Sequence, residues 1–436
     1  MRLIETDAGR WVDPEAAFLA LDGGSGEVVW LDSGPDAAEG MSLIGWPGAE
    51  PQRLSATAAA DAEPMLAALR SVPGSSGAGL LPAWAAWLSH EFGSALLGAE
   101  APAGDGPLAT AVLLERAVVF DHARRAVRIV AEESDRGWAE ATLRRLAAAP
   151  AEASAPPAAS GHTPVTRAHD DARYLELIRA CQARIAAGDA YQLCLTEQWS
   201  APRPAAPTEV YRRLRRLAPS HHGGLLRLGG LELLSASPER FVEVRDGVAS
   251  TRPMKGTRPR AAEPAADAAL AAELRASDKE QAENLMIVDL VRNDLSQVSE
   301  LGSVTVESLF AIESYRTVHQ LVSTVTGRLA PGRTAVDAVA ALFPAGSMTG
   351  APKRRAVELL RGLEGMPRGA YAGAFGYLAA DGSADFATTI RTIVVAGDRA
   401  SFGTGGGITA SSDPEAELAE MKLKAAALLA ALGAQP

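Results

Sequence analysis

Two carboxylate pairs offer the first chemistry. Glu280 and Glu283 are three residues apart, as are Glu417 and Glu420, and residues at i and i+3 share one face of a helix. Four carboxylates brought together repel one another unless a cation lies between them. An oxygen-only donor set without histidine selects a hard ion, magnesium above all when a substrate adds further oxygens. Surface helices are also rich in glutamate, so each pair taken alone reads as a solvated face. A second constellation is Ser237-Pro238-Glu239-Arg240-Phe241, followed by Thr251-Arg252-Pro253-Met254-Lys255-Gly256-Thr257-Arg258. A lysine is a good nucleophile only when its pKa falls well below about 10.4, and like-charge neighbours together with burial produce such a fall. Arg252, Arg258 and Arg260 are the candidate neighbours, and Glu239 is a candidate proton donor if burial raises its carboxyl. The same composition allows a solvated basic loop in which Lys255 merely offsets nearby acids. Gly403-Thr404-Gly405-Gly406-Gly407 reads as a turn, either an anion-binding nest of N–H groups or a tight turn without a ligand. It has neither the ending of a P-loop nor the spacing of the dinucleotide fingerprint. The loop Gly346-Ser347-Met348-Thr349-Gly350-Ala351-Pro352-Lys353 runs into a helix N-terminus, a second place that favours an anion.

Elements must hold these residues. Helical apolar spacing covers residues 61–70, 136–147, 170–187, 277–291 and 414–432, and 211–217 is a further predicted helix. Strand-like patterns cover 27–31, 111–120, 126–131, 191–199, 224–228, 232–236, 241–244, 370–378, 385–395 and 400–402, with 314–327 mixed. Strands come in runs with helices between the runs, which predicts an α+β chain with large antiparallel sheets rather than a doubly wound fold. The Ala/Pro/Ser-rich stretch 148–164 has almost no bulky apolar residue and reads as a linker or exposed loop. It separates an N-terminal region, 1–147, from a region, 165–436, that carries every motif above.

Composition excludes several classes. The 436 residues carry a net charge of −11 with the two signs interspersed, which argues against a nucleic-acid surface. The one basic cluster, Arg212, Arg213, Arg215 and Arg216, reads as a solvated helix face. Cys181 and Cys194 fit no zinc spacing and no disulfide framework, so a reducing compartment is expected. No run approaches the ~18 apolar residues of a membrane helix, and residues 1–12 show no leader. The expected location is the cytoplasm.

S-P-E-R-F, R-P-M-K-G-T-R, A-E-N-L-M-I-V-D-L-V-R-N-D, G-S-M-T-G-A-P-K, I-R-T, G-T-G-G-G-I and D-P-E-A-E-L-A-E follow one another in this order. Together they resemble the chorismate-utilising enzymes, a family that includes anthranilate, aminodeoxychorismate, isochorismate and salicylate synthases. The resemblance implies two large antiparallel sheets packed face to face, helices around them, and an active site between. It implies Mg²⁺ on Glu283 and Glu420, with Glu280 and Glu417 beside them, holding the ring carboxylate of chorismate. It implies that Arg391 and Tyr371, helped by the backbone of Gly405, Gly406 and Gly407, hold the enolpyruvyl carboxylate. By the same matching Ser347 and His319 line the ring, His319 as a catalytic position, and Gly256 and Thr257 bind substrate beside Lys255.

Two positions discriminate within that family. Isochorismate and salicylate synthases resemble one another in placing a water-activating lysine where this chain has Gln192. Anthranilate synthases usually carry alanine where it has Lys255. A lysine there is similar to the aminodeoxychorismate synthase branch, in which the amine attacks the ring as a hydroxyl leaves and ammonia then displaces the lysine; Glu239 would protonate the departing hydroxyl. No G-x-C-x-G elbow surrounds either cysteine, so ammonia is expected from a separate glutamine amidotransferase subunit or from solution. The alternatives are an anthranilate synthase with an unusual lysine, and a catalytically inactive relative that serves as a partner subunit.

Overall fold

Along the strand Val28–Asp32, Val28 and Trp30 face one way, Val29 and Leu31 the other, and both faces pack against apolar side chains. The same alternation separates Trp84, Ala86 and Leu88 from Ala83, Ala85 and Trp87 in the strand Ala83–Leu88. Strands that are apolar on both faces must be covered on both. The computed structural model, which describes residues 2–434 except 25, 73–78, 101–103, 105, 160, 162 and 317, covers them by stacking two antiparallel sheets and flanking the stack with helices.

The first sheet runs Leu3–Asp7, Ala126–Glu132, the second half of Ala109–Asp121, Met41–Pro47, Val28–Asp32, His222–Leu228, Leu231–Ser237, Thr392–Ala396, Arg399–Ile408 and Gln192–Pro202. The second runs Arg53–Ala56, the first half of Ala109–Asp121, Ala83–Leu88, Ala374–Ala379, Ala384–Thr388, Arg240–Arg245, then Val248–Thr251 and Met254–Pro259 end to end, Val318–Arg328 and Thr305–Ser314. The strand Ala109–Asp121 passes from one sheet to the other, pairing with Ala83–Leu88 through Leu114 and with Ala126–Glu132 from Arg116. Between the sheets lie Val29, Leu43, Trp87, Leu226, Leu233 and Phe375. Helices Pro14–Leu21, Asp171–Ala186, Pro207–Leu217 and Pro414–Leu432 cover the outside of the first sheet, and Ala62–Leu69, Asp278–Ser296 and Ala335–Leu342 cover the second.

Local chemistry sets where the two acid-bearing helices begin. Ser277 accepts a hydrogen bond from Glu280 N and starts Asp278–Ser296. Asp413 accepts one from Ala416 N, and Pro414 at the first helical position starts Pro414–Leu432. Both E-x-x-E pairs therefore sit in the opening turns of their helices, where the helix dipole favours negative charge.

Three expectations need correction. The run Gly403–Gly407 is not a turn but part of the strand Arg399–Ile408, paired throughout with Gln192–Pro202. Its glycines permit close approach: a Cβ at Gly403 would lie 2.1 Å from the Tyr371 ring, one at Gly405 2.2 Å from Leu195 O, and one at Gly407 2.3 Å from the Gln192 amide nitrogen. The segment 385–395 is two strands, broken at a left-handed residue, Arg391 (φ +47). The arginine helix is not a solvated face, since Arg212 and Arg215 are buried and ion-paired with Glu15, Glu209 and Asp32.

From Ala149 to Val165 the described residues form neither helix nor strand; 160 and 162 of that stretch lie outside the described residues. The stretch is tied to the arginine helix, Ser154 O accepting from Arg216 and Pro157 O from Arg213. Among the described residues no helix is long and apolar enough to cross a membrane.

Candidate active site

The strand Met254–Pro259 of the second sheet and the strand Arg399–Ile408 of the first face each other across a cavity of about 1150 Å³. Helices Asp278–Ser296 and Pro414–Leu432 bring their first turns to its wall. Lys255, Gly256, Thr257, Glu239, Ser347, Tyr371, Arg391, Gly405, Gly406 and Gly407 all line it, as do Glu280, Glu283, Glu417 and Glu420. Glu239 and Glu420, 181 positions apart in the sequence, thus meet in one space.

Glu239 sits in the tight connection between Leu231–Ser237 and Arg240–Arg245. Burial pushes its carboxyl above the ordinary range, partly offset by a 2.7 Å hydrogen bond from Ser347 Oγ to its Oε1 and by the nearby Lys255. A carboxyl of this kind holds a proton longer than a solvated one and can deliver it inside the cavity. Lys255 has an environment different from the one anticipated. Arg252 pairs with Glu313, Arg258 with Glu273 and Arg260 with Asp267, so each arginine already has its own acid. The ion-pair partner of the Lys255 amine is Glu283, 3.7 Å away.

Arg391 has no carboxylate partner among the described residues, and burial alone lowers its proton affinity. Its left-handed backbone, which costs a non-glycine residue roughly 1–2 kcal/mol, puts an unpaired guanidinium into the cavity. Such a group favours an anionic ligand that could pair with it bidentately. Tyr371, also in the cavity wall, is buried with its ring packed on Gly403.

The four glutamates are close enough to influence one another. Burial raises Glu283 and Glu417, with Glu420 adding repulsion to both; burial also pushes Glu420 upward, but Lys424, Lys279 and Lys255 together outweigh it and hold that carboxylate low. The donor set, carboxylate oxygens without nitrogen or sulfur, has the chemistry of a hard divalent ion site. As the side chains stand, no three acids among the described residues converge tightly enough to hold an ion, and Lys279 lies between Glu283 and Glu417.

Two predicted positions are not in the cavity wall. His319 is buried with both ring nitrogens engaged, Nε2 3.0 Å from Asp267 Oδ1 and Nδ1 2.7 Å from Ser314 Oγ. Strand alternation turns its neighbours Val318 and Gln320 to the cavity instead. Gln192 is fully buried against Gly407, and neither of its amide atoms has a hydrogen-bond partner among the described residues. A Cβ at Gly407 would stand 2.3 Å from that amide and 3.4 Å from the Lys255 amine, so both groups border the space above this glycine. Lys353 does not face the cavity either; it is a buried tie to Asp294 Oδ2 and Leu342 O, 2.6 Å from each. Sequence reasoning missed Lys279 and Lys424. Lys424 with Glu420 and Lys279 with Glu283 were both open to detection as i,i+4 pairs; the contact of Lys279 with Glu417 was not, because Glu417 is on another helix.

Comparison with known proteins accords with this geometry. An aminodeoxychorismate synthase of Streptomyces griseus is 41% identical over 456 residues, covering 96% of this chain and 62% of the relative. An anthranilate synthase component 1 of Streptomyces coelicolor is 44% identical over 332 residues, covering 72% of this chain and 65% of that protein. The chain thus spans somewhat less than two thirds of the length of either relative. The crystal structure of anthranilate synthase component I from Streptococcus pneumoniae superimposes with a TM-score of 0.79 at 27% identity, covering 90% of this chain and 93% of that one. The family described as chorismate binding enzyme matches residues 37–430, and this chain belongs to it.

Proposed function

We propose that the protein aminates chorismate to 4-amino-4-deoxychorismate, on the way to 4-aminobenzoate, in the cytoplasm, with ammonia from a separate glutamine amidotransferase subunit. The observation that carries this reading is a lysine, Lys255, in the same cavity as Glu239, whose carboxyl is raised above the ordinary range, and Arg391, which has no carboxylate partner among the described residues. Arg391, Tyr371 and the backbone of Gly405–Gly407 hold the enolpyruvyl carboxylate. Lys255 forms a C–N bond to the ring as the ring C–O bond breaks, and the hydroxyl leaves as water with the proton of Glu239. Ammonia then forms the product C–N bond while the bond to Lys255 breaks, which returns the amine, and the proton shed by the incoming nitrogen restores Glu239; the sum is chorismate and ammonia to aminodeoxychorismate and water. Glu283 and Glu420, with Glu280 and Glu417 beside them, would hold Mg²⁺, which when bound neutralises and orients the ring carboxylate. Gln192, an amide that cannot take a proton from water, supports amination over hydration. His319 enters this reading only if its ring leaves Asp267 and Ser314.

The test is mass-spectrometric product identification from chorismate, MgCl₂ and an ammonium salt. Aminodeoxychorismate without pyruvate release is the expected result, lost in Lys255→Ala and lowered about 10²- to 10⁴-fold in Glu239→Gln. Fluorescent anthranilate as the product would overturn the assignment in favour of the second activity represented among the relatives. Undiminished product from Lys255→Ala would remove the covalent step.

A further inference from the structure

Lys279 lines the cavity but has no part in that chemistry. Lys279 stands in the first turn of Asp278–Ser296, and its Nζ lies 3.7 Å from Glu417 Oε1 and 3.9 Å from Glu283 Oε1. It therefore spans the two helices that supply the acids. The other lysines are placed differently. Lys424 is held at 2.8 Å by both Gly405 O and Glu420 Oε1, and among the described residues Lys255 pairs only with Glu283. The Lys279 side chain is 54% exposed, so it can swing into water without stranding a buried charge. An ammonium group and a divalent ion that seek the same carboxylate oxygens exclude one another.

We propose that Lys279 is a built-in counter-ion: it holds Glu283 and Glu417 together in the metal-free protein and withdraws when Mg²⁺ enters. The proposal rests on the assignment of Mg²⁺ to these glutamates. Magnesium affinity is then set against an internal competitor, and the acid cluster stays assembled while it waits for the ion.

Titration calorimetry of MgCl₂ into the full chain tests this, with wild type, Lys279→Met and Lys422→Met compared at one low ionic strength. Lys422 carries the same charge on the other acid-bearing helix but pairs with Asp171, outside the cluster. Lys279→Met is expected to bind Mg²⁺ about tenfold more tightly, the scale of losing a unit charge about 4 Å away in a high dielectric, while Lys422→Met changes less than about twofold. Without Mg²⁺ the Lys279→Met protein should melt below wild type, and at saturating Mg²⁺ the gap should close. Equal affinities in wild type and Lys279→Met, or equal tightening in both variants, would overturn the counter-ion role and leave the metal assignment standing. Absence of Mg²⁺ binding in wild type and Lys279→Met, with or without chorismate, would remove the metal assignment and this proposal together.

Discussion

Glu239 is the residue whose environment speaks most directly to its task. Burial raises its carboxyl, while the hydrogen bond from Ser347 favours the ionised form and pulls the other way. If the protonated acid releases the leaving hydroxyl, turnover falls as pH climbs through that raised pKa. Ser347→Ala removes a contact that lowers the pKa, so the pKa rises further and the descending limb of kcat should move to higher pH, with Ser347→Thr leaving it in place. A limb that stays put or moves to lower pH contradicts the role. Stability changes in the same direction with pH. A carboxyl that holds its proton more tightly when folded makes stability fall as pH rises from the ordinary carboxylate range through the raised value. Glu239→Gln should therefore raise Tm relative to wild type at pH 8 more than at pH 4, at the expense of turnover. The acid pairs and Glu239 were legible in the sequence because i,i+3 spacing and residue type are local properties. The surroundings of Lys255 were not. Its arginine neighbours are close in sequence, but each is claimed by an acid from another element, and no spacing rule shows which acid that will be.

At the level of elements, the glycine run shows how one pattern admits two structures. Successive glycines suit a turn, yet here Gly403, Gly405 and Gly407 of the strand Arg399–Ile408 lie where a side chain would strike a neighbour. Those neighbours come from Gln192–Pro202 and from Tyr371, so the cause is tertiary and invisible to a local reading. Gly403→Ala is the sharpest case, because its Cβ would meet the Tyr371 ring at 2.1–2.4 Å. Overpacking of this kind costs about 1–3 kcal/mol, read as a lower denaturant midpoint at unchanged m-value. The loss should shrink in a Tyr371→Ala background, since the two changes share one contact and couple in a double-mutant cycle. Equal losses in both backgrounds would mean that the ring is not what the glycine accommodates. The helices that begin at Ser277 and Asp413 were readable for the converse reason: their caps, and the proline after Asp413, are signals contained within the helix itself.

Across the whole molecule, the α+β class and the antiparallel sheets followed from runs of strands, but the way distant parts lock together did not. The arginine helix Pro207–Leu217 is the clearest example. Arg215 grips Asp32 with two hydrogen bonds, at 2.6 and 3.1 Å, reaches Glu15 Oε2 at 3.2 Å and lies over the Trp30 ring, while Arg212 holds Glu15 Oε1 at 2.6 Å. A basic tetrad reads as solvent-facing until the acids that neutralise it are known, and these acids come from the helix Pro14–Leu21 and the strand Val28–Asp32, nearly 200 residues earlier. Breaking a buried pair by removing one partner costs about 3–5 kcal/mol, because the other charge stays buried and uncompensated. Arg215→Met leaves Asp32 in that state, whereas Asp32→Asn leaves Arg215 with Glu15 as a remaining acid. Arg215→Met should lower the unfolding free energy by that amount and Asp32→Asn by less, and the double change should cost less than the sum, since the pair is removed together. Hydrogen exchange in Arg215→Met should show the extra opening in Val28–Asp32 and His222–Leu228, which pair directly, and leave Asp278–Ser296 protected. Opening that instead spread evenly to that helix would mean the ion pairs stabilise the molecule as a whole rather than fastening its N-terminal strands to the sheet that carries the glycine wall of the cavity.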